Sequence, residues 1–289
     1  MSFPLAGRHA LITGASRGIG AAIASAYLHA GASLFLCARD EAALAETGER
    51  LRREAAAGQR VEWQAADVAQ PAACDRLVAQ ALATLGWLDI LVNNAGIYGP
   101  KGRIEEVDWQ EWVAAIQINL LGSVYLVRAL LPHFRSRRYG KIVQLSGGGA
   151  TSPLPYLSAY AASKAAIVRF VETIAGETRD DRIDINALAP GAINTRMLDE
   201  LLVAGPEKIG AEQYARALRQ REEGGAPVEQ AAALAVYLAS PASDGLSGKL
   251  ISAVWDPWRE LDAHRDDLMS SDIYTLRRIV PRDRGREWG

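Results

Sequence analysis

The chain has 289 residues, 49% of them hydrophobic and 23% charged, with a formal net charge of -2. That balance is ordinary for a soluble protein and gives no electrostatic case for nucleic acid or an anionic membrane; neither is expected as a partner, and a small molecule is. Cys37 and Cys74 form no CxxC pair, so both are expected to be reduced thiols with no disulfide framework and no metal site.

The opening stretch MSFPLAGRHALITG lacks a basic segment followed by a long apolar one, and no uninterrupted apolar run approaches the ~18 residues of a bilayer span. A cytoplasmic location is expected. The length suits one large domain.

His9 to Thr13 is a short apolar run, and a helical pattern begins near Ile19. Between them stands TGASRGIG, with Gly14, Gly18 and Gly20 spaced GxxxGxG. Glycines there allow a tight turn and close approach of a pyrophosphate, while the helix start offers free N–H groups and a positive dipole end. Strand, turn and helix together predict dinucleotide binding.

Ser33 to Cys37 reads as a second strand, followed by CARD. Dinucleotide folds place an acidic residue near this point to hold the ribose 2′-hydroxyl of NAD. Ala38 and Arg39 stand there instead. Arg39 with Arg17 can pair with a 2′-phosphate, so NADP(H) is expected as the preferred cofactor, with NAD(H) possible. Asp40 reads as the N-cap of the next helix.

Glu41 to Ala57 is predicted as a helix, Val61 to Ala65 as a third strand and Pro71 to Leu85 as a helix with proline in its first turn. Ile90 to Val92 is a short apolar strand closed by NNAG at 93–96. A long helix follows over Val107 to Arg135. Asn119 lies in its middle, where its amide competes for the backbone, so the pattern predicts a local departure from regular helix. Lys141 to Leu145 is the fifth strand, Tyr156 to Glu177 a helix, and Asp184 to Ala189 the sixth strand. Val228 to Leu238 is the last core helix and Lys249 to Ser252 the seventh strand. Alternating strands and helices predict a doubly wound Rossmann α/β fold of about seven parallel strands, with the ligand crossing at the switch between strands one and four.

Within the fifth helix-forming run, Tyr160 and Lys164 stand four apart and share a face. A phenol beside an ammonium is a proton-transfer device, because the positive charge stabilises the phenolate. Taken alone the pair is also common on ordinary helices.

Six segments together resemble the short-chain dehydrogenase/reductase family in its single-domain form: TGASRGIG at 13–20, Asp67-Val68, NNAG at 93–96, Asn119, YAASK at 160–164 and PGAINT at 190–195. The resemblance covers residues 7–252. It implies an NADP(H)-dependent oxidoreductase that transfers hydride between the nicotinamide and a carbonyl or secondary alcohol. Tyr160 is implied as the acid or base, Lys164 as the partner that lowers its pKa and binds ribose, and Asn119 as holder of a relay water. The implied cofactor contacts are Gly14, Ser16, Arg17, Gly18, Ile19, Gly20, Arg39, Asp67, Val68, Asn93, Ala95, Gly96, Tyr160, Lys164, Pro190, Gly191, Ile193 and Thr195. A homodimer or homotetramer through the long helices 107–135 and 156–177 is implied as well.

One position departs from the family pattern. The serine expected thirteen residues before the tyrosine falls on Gly147, and Ser146 stands one residue early. A one-residue offset in a strand reverses the face, so Ser146 serves only if the strand has already broken, which the glycines at 147–149 permit. A backbone N–H of that run, Thr151 or Ser152 are the alternatives to Ser146. A dinucleotide-binding protein with weakened catalysis, acting as a sensor or an organiser of a partner, is the rival reading.

Residues 196–225 are expected to form a substrate lid, with Met197, Leu198, Leu201, Leu202 and Tyr214 as candidate pocket residues. The domain is expected to end near 255. Residues 256–289 are expected to form an extension on the parent domain or a neighbouring subunit, with Asp256 capping a helix over Trp258 to Met269. Trp255, Trp258 or the arginines at 277, 278, 282, 284 and 286 are candidates to reach an active site.

Overall fold

The computed structural model describes residues 3–288; Met1, Ser2 and Gly289, at the outer ends of the two expected segments, lie outside the described residues. Seven strands, β1 (His9–Thr13), β2 (Ser33–Ala38), β3 (Val61–Ala65), β4 (Ile90–Asn93), β5 (Gly140–Leu145), β6 (Ile183–Ala189) and β7 (Leu250–Ser252), form one sheet in the order β3-β2-β1-β4-β5-β6-β7. All the pairings are parallel. β1, β2, β4 and β5 are buried at every residue, as strands covered on both faces must be.

Two apolar layers sandwich the sheet. On one face α1 (Gly18–His29) and α10 (Val228–Ala239) pack Ile23, Tyr27, Leu234 and Leu238 onto Ile12, Val92 and Val143. On the other, α3 (Pro71–Leu85), α5 (Ser123–Arg137) and α6 (Ser158–Glu177) pack Leu77, Leu126, Leu130 and Val171 onto Leu11, Leu91 and Ile142. Strand side chains alternate, so consecutive residues such as Leu11 and Ile12 serve opposite layers. The chain reverses direction across the sheet between β1 and β4, which opens a crevice above their carboxyl ends.

The run predicted as one long helix is two. α4 (Trp109–Ile116) and α5 are joined by a π-helical turn over Gln117–Gly122, centred on Asn119. By length and composition the whole run Trp109–Arg137 is long and apolar enough to cross a bilayer, a feature that the absence of an uninterrupted apolar run conceals in the sequence. The reason is that its apolar residues are interleaved with polar ones. Less than half of its most apolar stretch is buried (44%), and the buried side is the Leu126, Leu130 and Phe134 layer against the sheet.

After β7 the chain doubles back. Residues Trp258–His264 form a 3-10 turn and Arg265–Ser270 the short helix α11, in place of one continuous helix. Asp256 does not cap that segment: its carboxylate accepts the Ser252 N–H at 2.7 Å, holding the turn at the end of β7. Trp258, Leu261 and Leu268 are buried in the layer built around α10, and the Trp258 ring lies 5.7 Å from that of Tyr237. Beyond them Leu250 donates its N–H to the Tyr274 carbonyl at 2.8 Å, so the extension covers the outer edge of β7. Lys249 Nζ clamps the Ser271 and Ile273 carbonyls at 3.0 and 2.9 Å.

Trp258→Ala is therefore expected to lower unfolding stability by about 3 kcal/mol in urea titration, the scale of removing a buried aromatic side chain. A loss under about 1 kcal/mol would show that the extension rests on the domain without sharing its core.

Candidate active site

The turn between β1 and α1 is held from below. Asn94 Nδ2 donates to the carbonyls of Thr13 and Gly14, each at 3.0 Å, and a side chain at Gly14 or Gly20 would run into Asn94 or the turn backbone. Gly14 and Gly18 both sit at positive φ (64° and 56°), which only glycine adopts without strain. Arg17 at the start of α1 offers no side-chain cap, so the first-turn N–H groups face outward.

They face a groove of about 860 Å³. Gly14, Ser16, Arg17, Gly18, Ile19 and Arg39 form one wall; Val68, Ala95, Gly96 and Thr195 form the other. Arg17 pairs with Asp40, whose second oxygen accepts from Ala43 N at 3.2 Å as the cap of α2 (Glu41–Glu54). Asp40 thus has two tasks where the sequence suggested one.

The other residues implied as cofactor contacts are not on the groove wall. Gly20 packs under the turn, and Asp67 accepts the Ala69 N–H at 3.0 Å to shape the turn after β3. Asn93 is buried, and its Nδ2 donates to the Ser123 carbonyl at 3.2 Å, tying β4 to α5. Gly191 turns at φ 87° after Pro190, and Ile193 packs against the sheet layer. Asn94, Asn194 and Glu200 line the groove and were not picked out beforehand. For Asn94 the signal was in the sequence, as the second amide of NNAG.

At the groove's inner end, Gly96 brings in the reactive groups. Its Cβ position lies 3.3 Å from Asn119 Oδ1 and 3.7 Å from Lys164 Nζ. Asn119 accepts the Ile97 N–H and donates to the Ile97 carbonyl, both at 2.8 Å, and donates to Ser163 Oγ at 3.0 Å. Its amide, misplaced for a regular helix, is used by the backbone at the end of β4. Lys164 Nζ donates to the Leu145 carbonyl at 2.7 Å and lies 5.6 Å from the centre of the Tyr160 ring. Burial holds its pKa down to about 8.

Tyr160 behaves differently from the expectation that its neighbouring ammonium lowers its pKa. Only 9% of it is exposed, and burial pushes the phenol well above its ordinary value, with Tyr98 adding to the rise. The Lys164 ammonium is directed at the Leu145 carbonyl, so desolvation wins. Tyr160 is sealed by α7 (Arg196–Ala204), α8 (Pro206–Ile209) and α9 (Ala211–Glu223), whose Leu198, Leu201, Ile209 and Ala217 close an apolar cluster over it with Leu157. Met197, Leu202 and Tyr214 join the same cluster.

The sequence pattern of the family described as short chain dehydrogenase matches residues 8–203. The chain belongs to that family. Among curated relatives of this chain, an 11-beta-hydroxysteroid dehydrogenase A from Sesamum indicum is 40% identical over 205 residues, covering 71% of this chain and 58% of the other. An L-fucose dehydrogenase from Mus musculus is 33% identical over 238 residues, covering 82% and 84%. Among solved structures, a gluconate 5-dehydrogenase from Burkholderia cenocepacia J2315 in complex with NADP and tartrate superposes with a TM-score of 0.76 at 30% identity, over 87% of this chain and 95% of that one. The Pseudomonas aeruginosa RhlG/NADP active-site complex gives 0.74 at 33% identity, over 87% and 96%.

In this chain the glycine at 147 faces the phenol directly: a Cβ there would lie closer to Tyr160 Oη than real Cβ atoms approach. Ser146 continues the strand register, its N–H donating to the Leu188 carbonyl at 2.8 Å, and its hydroxyl is buried without a partner. Thr151 and Ser152 are exposed. Trp258 is inside the core and Arg277 pairs with Asp272 and Asp283, so neither reaches the site; Trp255 is 83% exposed.

Proposed function

We propose that the protein is an NADP(H)-preferring oxidoreductase acting on a carbonyl or secondary alcohol, with Tyr160 as the proton carrier. The observation that carries this reading is the approach of Lys164 Nζ and Asn119 Oδ1 to Gly96, which joins the acid–base pair to the end of the groove. The groove fits a dinucleotide by its own chemistry: open helix N–H groups, two glycines at positive φ, and Arg17 and Arg39 on the rim. A bound nicotinamide would supply or accept the hydride. Tyr160, kept protonated by burial, is suited to donate its proton to the oxygen of a carbonyl undergoing reduction.

Arg17 and Arg39 support selection of the 2′-phosphate, and the NADP complexes among the related structures agree with that choice. The cluster packed around Tyr160 is apolar, which favours a carbonyl on an apolar body. Assembly through the α4–α5 run and α6 is part of the proposal: Trp109 on α4 and Leu121 in the π turn are 62% and 53% exposed.

Oxidation of NADPH against a panel of aldehydes and ketones, from cyclohexanone to sugars, tests the activity. Arg39→Ala should weaken NADPH binding by ~10- to 100-fold while changing NADH binding about threefold or less. Equal loss for both would remove the 2′-phosphate argument. Tight NADPH binding with no turnover across the panel would favour the second reading, a cofactor-binding protein with weakened catalysis, for which Gly147 is the specific observation.

A further inference from the structure

We propose that Tyr98 supplies the second hydroxyl that binds the substrate oxygen, in the role for which the chain has no serine at Gly147. This rests on the oxidoreductase reading above and names a catalytic residue within it.

The need arises at Gly147. A carbonyl oxygen that takes a proton as its carbon takes hydride passes through partial negative charge, and a second fixed donor stabilises that charge. Among the described residues, no serine or threonine hydroxyl of the 146–163 segment is placed to do so. Ser146 is sealed in the interior. Ser158 accepts from Trp112 Nε1 at 3.1 Å, and Ser163 is held between Asn119 and the Tyr160 carbonyl. Thr151 and Ser152 face solvent.

Tyr98 meets the requirement. Its ring stands edge-on to that of Tyr160 with centroids 4.8 Å apart, and it belongs to the apolar cluster that encloses the phenol. Tyr98 is only partly buried and its hydroxyl makes no hydrogen bond among the described residues, so the O–H is free to meet a ligand. Burial and the nearby Glu200 carboxylate push its pKa up to about 12, so it remains a donor at neutral pH.

The backbone that carries Tyr98 is locked on both sides. Asn119 grips Ile97 through two hydrogen bonds, and Gly99 lies so close to Ala115 that a side chain there would overlap it. A donor held this firmly is preorganised. In the balanced step, hydride that a bound NADPH would supply, leaving NADP⁺, adds to the carbonyl carbon, the Tyr160 proton goes to the oxygen, and Tyr160 is reprotonated from solvent. Tyr98 donates a hydrogen bond and keeps its proton throughout.

The test is Tyr98→Phe in the full chain, beside wild type and Tyr160→Phe, with NADPH and the ketones that wild type reduces. The ring is retained, so packing against Tyr160 and the lid is too. Expected is a fall in kcat of ~10²- to 10³-fold with KM changed about threefold or less, the mark of an interaction made as charge develops. A kcat within about threefold of wild type overturns the proposal while leaving the activity established. A crystal structure with NADP⁺ and cyclohexanecarboxamide, a non-reducible isostere of an apolar ketone, gives an independent reading. Tyr98 Oη within about 3.2 Å of the amide oxygen supports the role; that oxygen held by Tyr160 and the 147–149 backbone alone overturns it. No turnover together with no amide binding would overturn the oxidoreductase reading and this proposal with it.

Discussion

Tyr160→Phe should abolish carbonyl reduction to within measurement, a loss of at least ~10³-fold in kcat, while NADPH binds with unchanged affinity. The split follows from geometry. The phenol is enclosed by Leu157, Leu198 and Leu201, away from the groove wall formed by Gly14, Gly18 and Arg39, so deleting its oxygen removes the proton donor without touching the dinucleotide's place. Phenylalanine fills the same cavity and keeps the edge contact with Tyr98, so the fold should be undisturbed. Residual activity above about a tenth of wild type would assign the proton to another group.

The pH profile carries a companion expectation. Burial holds Lys164 at about 8, below the ordinary lysine value, so its charge is present below that pH and lost as pH rises through it. The charged form stabilises the phenolate left behind when Tyr160 gives up its proton, so reductive kcat/KM should fall above about 8. A profile that is flat from 7 to about 10 would mean that the Lys164 charge is not needed at this step.

Local chemistry was legible in the sequence where neighbouring residues decide the outcome. β3 and α3 fall at the predicted bounds, because alternation from Val61 and a proline at the first turn from Pro71 are local signals. Asn119 announced the π turn for a physical reason: an amide that competes for helix backbone ends up bonded to Ile97 instead.

What the sequence hid depends on partners far along the chain. Asp256 followed by proline reads as a helix start, yet its carboxylate is taken by Ser252, which closes a turn that only the end of β7 creates. The Tyr160–Lys164 spacing predicted a lowered phenol pKa, but spacing carries no information about the lid helices that desolvate the ring or about the Leu145 carbonyl that draws the ammonium away. Tyr98 passed unremarked since nothing in NNAGIY says that its ring will meet Tyr160.

Gly147→Ser is expected to lower kcat by ~10²-fold or more, although it writes the family's serine back into place. The strand leading to residue 147 is pinned by the Ser146–Leu188 hydrogen bond, and the 147 carbonyl accepts the Ala150 N–H at 3.3 Å, so the backbone has little room to retreat. An added Cβ lands on Tyr160 Oη, at the far end of a rigid ring wedged among Tyr98, Leu157, Leu198 and Leu201. The phenol must turn away from its present position, and about 1 Å of misplacement in a proton donor costs on the order of 10²-fold in rate. Gly147→Ala separates the two contributions: it adds the same Cβ without a hydroxyl. Both variants should bind NADPH as wild type does and lose similar activity. If serine instead raises kcat while alanine lowers it, the ring yields at little cost and the hydroxyl itself was what the site lacked, which would also leave Tyr98 with no oxygen-binding task to perform.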